Sequence, residues 1–272
     1  MTLARKVGDF LLAPWQLVFR HRAILTTTSL IELRMMYAGS VLGLAWVILA
    51  PLLLLAIYTL TYAYIFQVRV PGLTTADYIA HVSAGLIAFL SFAGALAGGS
   101  VSVIRNKQML TSTVFPPELL PVRAVIVTLP PLLVGGLVIA AGAMLYGSAG
   151  TSVLALPVVM LLQFMFTCGI VWVLALVTLV LRDIQHLIQY LVIILLIVTP
   201  IGYVLEMVPP RLALLTYLNP LAYFVLSYQE ILVRGALPGG NLATAMIVSS
   251  ILSFSGGFWL FQRAKLAFYD YA

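Results

Sequence analysis

Residues 152–181 read SVLALPVVMLLQFMFTCGIVWVLALVTLVL, and none of those side chains carries a charge. An α-helix needs about 20 mostly apolar residues to cross the hydrocarbon core of a bilayer, and this run exceeds that. Five further runs of the same kind accompany it, at 41–66, 78–97, 122–146, 187–205 and 243–261. The length of the 152–181 run predicts a helix that tilts or projects past the bilayer. Pro51, Pro130, Pro131, Pro157 and Pro200 interrupt several runs. Membrane helices tolerate such kinks when neighbours or water satisfy the freed carbonyls. The expectation is an all-α integral membrane protein, with six transmembrane helices in a single domain over 1–272.

The composition excludes other classes. Hydrophobic residues make up 63% and charged residues 8%, with a mean hydropathy of +1.13. A soluble domain carries roughly a quarter charged residues, so this chain cannot cover a water-facing surface. Cys168 is the only cysteine, which rules out an intrachain disulfide and a multi-cysteine metal site. A net charge of +6 would suggest nucleic acid in a soluble protein. Here the basic residues sit at the ends of the apolar runs, where they set topology or meet lipid headgroups, so no nucleic acid is expected. Residues 10–19 are apolar but too short to span, and no small-residue cleavage pattern follows them. They read as a segment lying on the membrane surface.

Lysine and arginine placement sets the orientation. Arg5, Lys6, Arg20, Arg22 and Arg34 precede the first run; Arg105, Lys107 and Arg123 lie between the second and third. Arg182 follows the fourth, and Arg263 and Lys265 follow the last. The opposite connections hold only Arg69, Arg211 and Arg234. The positive-inside rule puts the basic set, and both termini, on the cytoplasmic side.

Three segments between runs stand out. Residues 20–40 mix polar and apolar side chains and suit an interfacial helix that feeds the first span. Residues 98–121 form a polar inner loop. Residues 206–241 are too apolar for an exposed loop, yet Pro209-Pro210, Asn219-Pro220 and Pro238-Gly239-Gly240 break them. Two short helices around Asn219-Pro220, dipping into the membrane and returning, reconcile those facts. No internal repeat is visible, which weighs against an inverted-repeat secondary transporter.

Catalytic chemistry is thin. A P-loop needs a Gly-Lys pair, but Lys6, Lys107 and Lys265 follow Arg5, Asn106 and Ala264. His21, His81 and His186 fall in separate regions, and no HExxH or GxSxG spacing occurs. Ionisable residues sit at run ends rather than mid-membrane, so the carboxylate of an ion-coupled carrier is missing. Tyr58, Tyr62 and Phe66 recur at i, i+4, i+8 and would share one helical face. Tyr203, Tyr217, Tyr223, Phe224 and Tyr228 crowd the outer segment. These aromatics form either a belt at headgroup level or a lining whose ring faces and hydroxyls contact a sugar chain. Gly94 and Gly98 form a GxxxG pair that predicts close helix packing; Trp46 and Trp259 read as interface anchors.

The stretch Arg34-Met35-Met36-Tyr37-Ala38-Gly39-Ser40-Val41-Leu42-Gly43-Leu44-Ala45-Trp46 resembles the lead into the first span of ABC-2 type permeases. It looks most like the polysaccharide-exporting branch, which covers O-antigen (lipopolysaccharide), capsule and teichoic acid exporters. Asn106, Leu110, Phe115-Pro116 and residues 118–121 match that branch's inner loop, with Pro117 a departure, and Tyr217-Leu218-Asn219-Pro220 match its outer segment. The resemblance covers essentially the whole chain. It implies a bacterial inner-membrane permease that forms a homodimer and binds two copies of a separate ABC ATPase. No cofactor is expected in this chain, with ATP and magnesium held on the partner. The substrate is then a lipid-linked polysaccharide, with membrane lipids around the protein. On the second reading of the aromatics, Tyr58, Tyr62, Phe66, Tyr203 and Tyr223 would line the substrate channel. ATPase coupling would fall to Arg105, Asn106, Phe115, Pro116 and Glu118, and an outer gate to Asn219 and Pro220. Arg34, Tyr37, Ser40, Gly43 and Trp46 would form the interfacial helix and the start of the first span. An ABC-2 exporter of small drugs or lipids shares this fold and partner. An ion-coupled carrier and a membrane-embedded glycosyl-transfer or lipid-processing enzyme are more distant readings.

Overall fold

The computed structural model describes residues 3–65, 73–108, 115–145 and 150–265, and among these the chain is helical with no strand. Phe66, Arg69 and Leu110 lie outside the described residues.

Two helices precede the first span. Helix α1 (Leu3–Arg20) and α2 (Arg22–Met36) meet at His21, whose ring bonds back to the Leu17 carbonyl. The chain then turns through Gly39 and Gly43, at φ 81° and 48°. Such positive values are open to glycine and strain other residues, so the two glycines shape this turn. The Ser40 hydroxyl accepts the Gly43 amide at 2.9 Å, and a short 3-10 turn (Gly43–Ala45) leads into α3 (Trp46–Leu60).

Helix α4 (Thr75–Ser100) is the axis of the bundle, and most of its side chains are buried. It opens with a reciprocal capping box between Thr74 and Asp77. After it come α5 (Ser102–Arg105), α6 (Leu119–Val127) and α7 (Leu129–Leu145). The third apolar run is therefore two helices parted at Thr128. Pro130 and Pro131 sit in the first turn of α7, where a missing N–H costs little. A 3-10 turn (Thr151–Ala155) starts the fourth run, and α8 (Leu156–Val180) completes it. Helices α10 (Pro210–Leu218), α11 (Pro220–Leu232) and α12 (Gly240–Ala264) end the chain.

Among the described residues, five segments are long and apolar enough to cross a bilayer: Gly43–Leu60, Thr75–Ser100, Leu119–Leu145, Thr151–Val180 and Gly240–Ala264. The fifth apolar run differs from expectation. Its helix, α9 (Ile184–Val198), has 15 residues instead of continuing to 205. At 1.5 Å per residue it covers about 22 Å, short of a core about 30 Å thick. Pro200 forces Thr199 into extended backbone (φ −78°, ψ 133°), and the helix stops there although the sequence stays apolar.

Packing around α4 is uneven. Helices α6, α7, α8 and α11 bury it, while α3 and α9 lean on it and leave most of their own surface open. The closest crossing joins α8 to α12. A Cβ on Gly169 would lie 2.1 Å from the Ser253 carbonyl, and one on Gly257 2.2 Å from the Gly169 oxygen. Gly99 faces a side chain instead, with a Cβ there 2.1 Å from Val171 Cγ1. Of the predicted GxxxG pair, Gly94 touches Thr128, but nothing stands within 4 Å of a Cβ on Gly98. That pair is thus not a close crossing. The helices approach where glycine on one span meets a small residue on its partner, and spacing within one helix does not reveal that.

Candidate functional site

Two clusters contain most of the residues that the sequence singles out. The first lies at the basic end of the bundle. Pro116 and Pro117 accept the amides of Leu119 and Leu120, both at 3.1 Å, so the double proline folds into the turn that launches α6. Glu118 follows and is buried, at 3% exposure. Its main-chain carbonyl accepts the Trp172 indole N–H from α8 at 2.9 Å. Its Oε1 accepts Gln262 Nε2 at 2.8 Å and Lys265 Nζ at 2.9 Å, both from the end of α12. A carboxylate held this way presents nothing to a partner's surface. Glu118, named above for coupling, thus joins the inner loop to α8 and α12.

Asn106 extends the cluster. Its Oδ1 accepts Arg123 Nη2 at 2.9 Å, and its Nδ2 donates to the Ser102 carbonyl at 2.7 Å. Arg123, buried on α6, also faces Glu32 of α2, with Nε and Oε2 2.7 Å apart. Charge attraction holds this pair at 2.7 Å. The polar network at this end of the bundle thus has two arms, one from Glu118 to α8 and α12 and one from Asn106 and Arg123 to α2. Arg105 is exposed beside it and Phe115 is half-buried against the core. Arg34 and Ser40 are exposed; Tyr37 caps α2 and Trp46 opens α3, both half-buried. These residues of the span start are separate from the network. No spacing rule could have found Lys265 as the partner of Glu118.

The second cluster lies at the opposite end. Asn219 caps α11: its Oδ1 accepts the Leu221 amide at 3.1 Å, and its Nδ2 donates to Thr199 Oγ1 at 2.8 Å. Both residues are buried. One side chain therefore fixes the corner between α10 and α11 and ties it to the end of α9, with Pro220 at the first helical position. Asn219→Ala removes a helix cap and strands the Thr199 hydroxyl. The expected cost is about 2 kcal/mol, read as a lower unfolding temperature of the purified protein.

The aromatic set divides. After Leu60 the chain changes to π-type winding over Thr61–Ile65, so the i, i+4 register from Tyr58 does not carry through. Tyr62 lies against Gly202, whose carbonyl accepts the Tyr78 hydroxyl at 2.9 Å. Tyr203 donates to the Val198 carbonyl at 2.7 Å, and Tyr223 to the Tyr217 carbonyl. The structure thus brings Tyr62 against Gly202, the residue before Tyr203. The hydroxyls of Tyr203 and Tyr223 serve the carbonyls at the ends of α9 and α10. Tyr58 packs half-buried on the core, and Tyr223 sits apart on α11.

No family model matches the chain. Among curated proteins it is 27% identical to the O-antigen export system permease protein RfbA of Myxococcus xanthus, over 92% of this chain and 96% of that one. Two permeases of the same name from Klebsiella pneumoniae are 28% and 26% identical, each over 87% of this chain and 90% of theirs. The chain is similar to O-antigen export permeases over nearly its whole length. The match runs nearly end to end, so it takes in the inner loop, the α10–α11 corner and the spans alike. Its relatives are transport permeases and not enzymes, in line with the thin catalytic chemistry of the sequence.

Proposed function

We propose that the chain is the membrane subunit of an ATP-driven exporter that moves an O-antigen-like, lipid-linked polysaccharide across the bacterial inner membrane. The similarity to three O-antigen export permeases over about nine-tenths of the chain carries this reading. The geometry supports a division of labour. The basic end faces the cytoplasm, with both termini, and the exposed Arg105 and half-buried Phe115 flank the surface that receives an ABC ATPase. Motion delivered there passes through Glu118 to α8 and α12, and through Arg123 and Glu32 to α2.

Two copies complete the pore. Both α3 and α9 leave apolar side chains open along their length, among them Ile48, Leu53, Ile57, Leu187, Ile193 and Ile197. Helix α9 is too short to cross alone and has one buried residue, Ile188. A second copy seated on these two helices shields α9 and makes it the sixth span, thinned at its outer end. The glycan then passes between the copies, with Tyr62 and Tyr203 at the outer mouth and the Asn219-Pro220 corner as its gate.

Hydrolysis belongs to the partner. The purified chain alone is expected to hydrolyse no ATP above a protein-free control, and its addition to the ATPase to make hydrolysis respond to lipid-linked glycan. Turnover by the lone chain would overturn the division of labour.

A further inference from the structure

One cavity among the described residues has no role in the proposal above. At the outer end, the start of α4, residues 204–207 and the second half of α11 bound about 650 Å³. Its polar lining is Asp77, His81, Glu206, Gln229, Glu230 and Arg234. In a chain with eight acidic residues, three of them face this one space.

Some of these groups already have partners. Asp77 Oδ2 accepts the Thr74 hydroxyl at 2.7 Å, and Glu230 pairs with Arg234 at 2.8 Å. The two on the buried wall differ. His81 is 7% and Gln229 4% exposed, and neither His81 Nε2 nor Gln229 Oε1 has a hydrogen-bond partner. Gln229 Nε2 donates to the Pro200 carbonyl at 2.9 Å, which fixes the amide and leaves its oxygen unused. The imidazole also lies within hydrogen-bonding reach of the Tyr203 main chain, which does not occupy Nε2, and Arg234 and Glu206 stand close enough to act on it electrostatically. Buried polar groups are nearly always paired, so two unpaired ones on a single cavity wall point to a ligand that completes them. A metal ion is a poor fit, since among the described residues no three His, Cys, Asp or Glu gather closely enough to hold one.

We infer that this cavity is a saccharide subsite that takes a neutral or amino sugar of the exported glycan. The inference rests on the export function proposed above. Carboxylate and amide oxygens accept hydrogen bonds from neighbouring sugar hydroxyls, and Arg234 donates to a ring or glycosidic oxygen. Val204 and Leu226 offer apolar contact to the C–H faces. Three carboxylates against one guanidinium disfavour a uronic acid. A hold of this kind at the outer end hinders the glycan from slipping back between ATP cycles.

Cysteine labelling tests this. Cys168 is the only cysteine and is fully buried, whereas Met207 is exposed on the cavity lining. Met207→Cys is labelled in spheroplasts with a membrane-impermeant maleimide, with synthesis of the cell's own glycan switched on or off. Leu237→Cys, exposed and outside the lining, is the control. Glycan is expected to slow labelling of Met207→Cys about fivefold, as about four-fifths occupancy requires, and to leave Leu237→Cys unchanged. Adding Glu206→Gln is expected to restore most of the unprotected rate. Unchanged labelling of Met207→Cys while glycan still reaches the cell surface overturns the subsite, as does protection that Glu206→Gln leaves intact. If no glycan reaches the surface with the unmodified chain, the export function itself fails.

Discussion

Gly257→Leu is expected to abolish accumulation of folded protein. Even a Cβ at that position falls 2.2 Å from the Gly169 oxygen, and the obstacle is main chain, which no rotamer change can move. Restoring ordinary contact means parting α8 from α12. That crossing buries Trp172, Phe254 and Phe261 and carries the bonds from Ser253 to the Phe166 carbonyl and from Ser250 to the Leu162 carbonyl. Overpacking in a tight interior costs about 1–3 kcal/mol where side chains can yield, and more where backbone cannot. Gly98→Leu is the matched control, because nothing stands within 4 Å of its added Cβ. Fluorescence-detected size-exclusion chromatography of the two variants reads the difference directly. A monodisperse Gly257→Leu peak of normal height would show that the crossing is looser than described.

The second large effect is expected at Glu118. In Glu118→Lys a buried cation faces Lys265, and removing one partner of a buried ion pair typically costs about 3–5 kcal/mol. Lys265→Glu sets a carboxylate against Glu118 and is expected to be milder, because Lys265 is 39% exposed and its replacement can turn to water. The exchanged pair Glu118→Lys with Lys265→Glu restores opposite charges at the same two positions. A coupling of about 1.5–3 kcal/mol between the substitutions is expected, seen as the double variant outperforming Glu118→Lys in both stability and glycan export. Separate measurement of ATP hydrolysis shows whether the pair transmits motion. Loss of export with hydrolysis retained in the folded single variants marks a transmission role, whereas parallel loss of both marks a structural one.

These two sites also show what the sequence could and could not reveal. The charge-free run 152–181 is a helix because lipid leaves its backbone no other option, and that much is legible from composition. The corner at Asn219-Pro220 is legible too, since asparagine before proline is a helix-start signal whatever surrounds it. Glu118 is different. A carboxylate beside two prolines reads as an exposed loop residue, and the lysine that neutralises it stands 147 positions away. The glycine contacts fail for a similar reason. Gly94 and Gly98 have the right spacing, but which helix lies opposite is a property of the assembled bundle. Hydropathy carried the fifth run to residue 205 because it registers apolarity and not the backbone restriction that Pro200 places on Thr199. The π-type winding at Thr61–Ile65 shifted the aromatic register without any marker in the residues themselves.

The role of the chain as the membrane subunit of a glycan exporter is tested most directly in proteoliposomes that hold the chain with its ATPase and a labelled lipid-linked glycan. Glycan is expected to cross only when ATP, the ATPase and this chain are all present, and an ATPase unable to hydrolyse ATP is expected to stop it. Glycan movement that continues without the ATPase, or that an imposed ion gradient drives instead, would contradict that role.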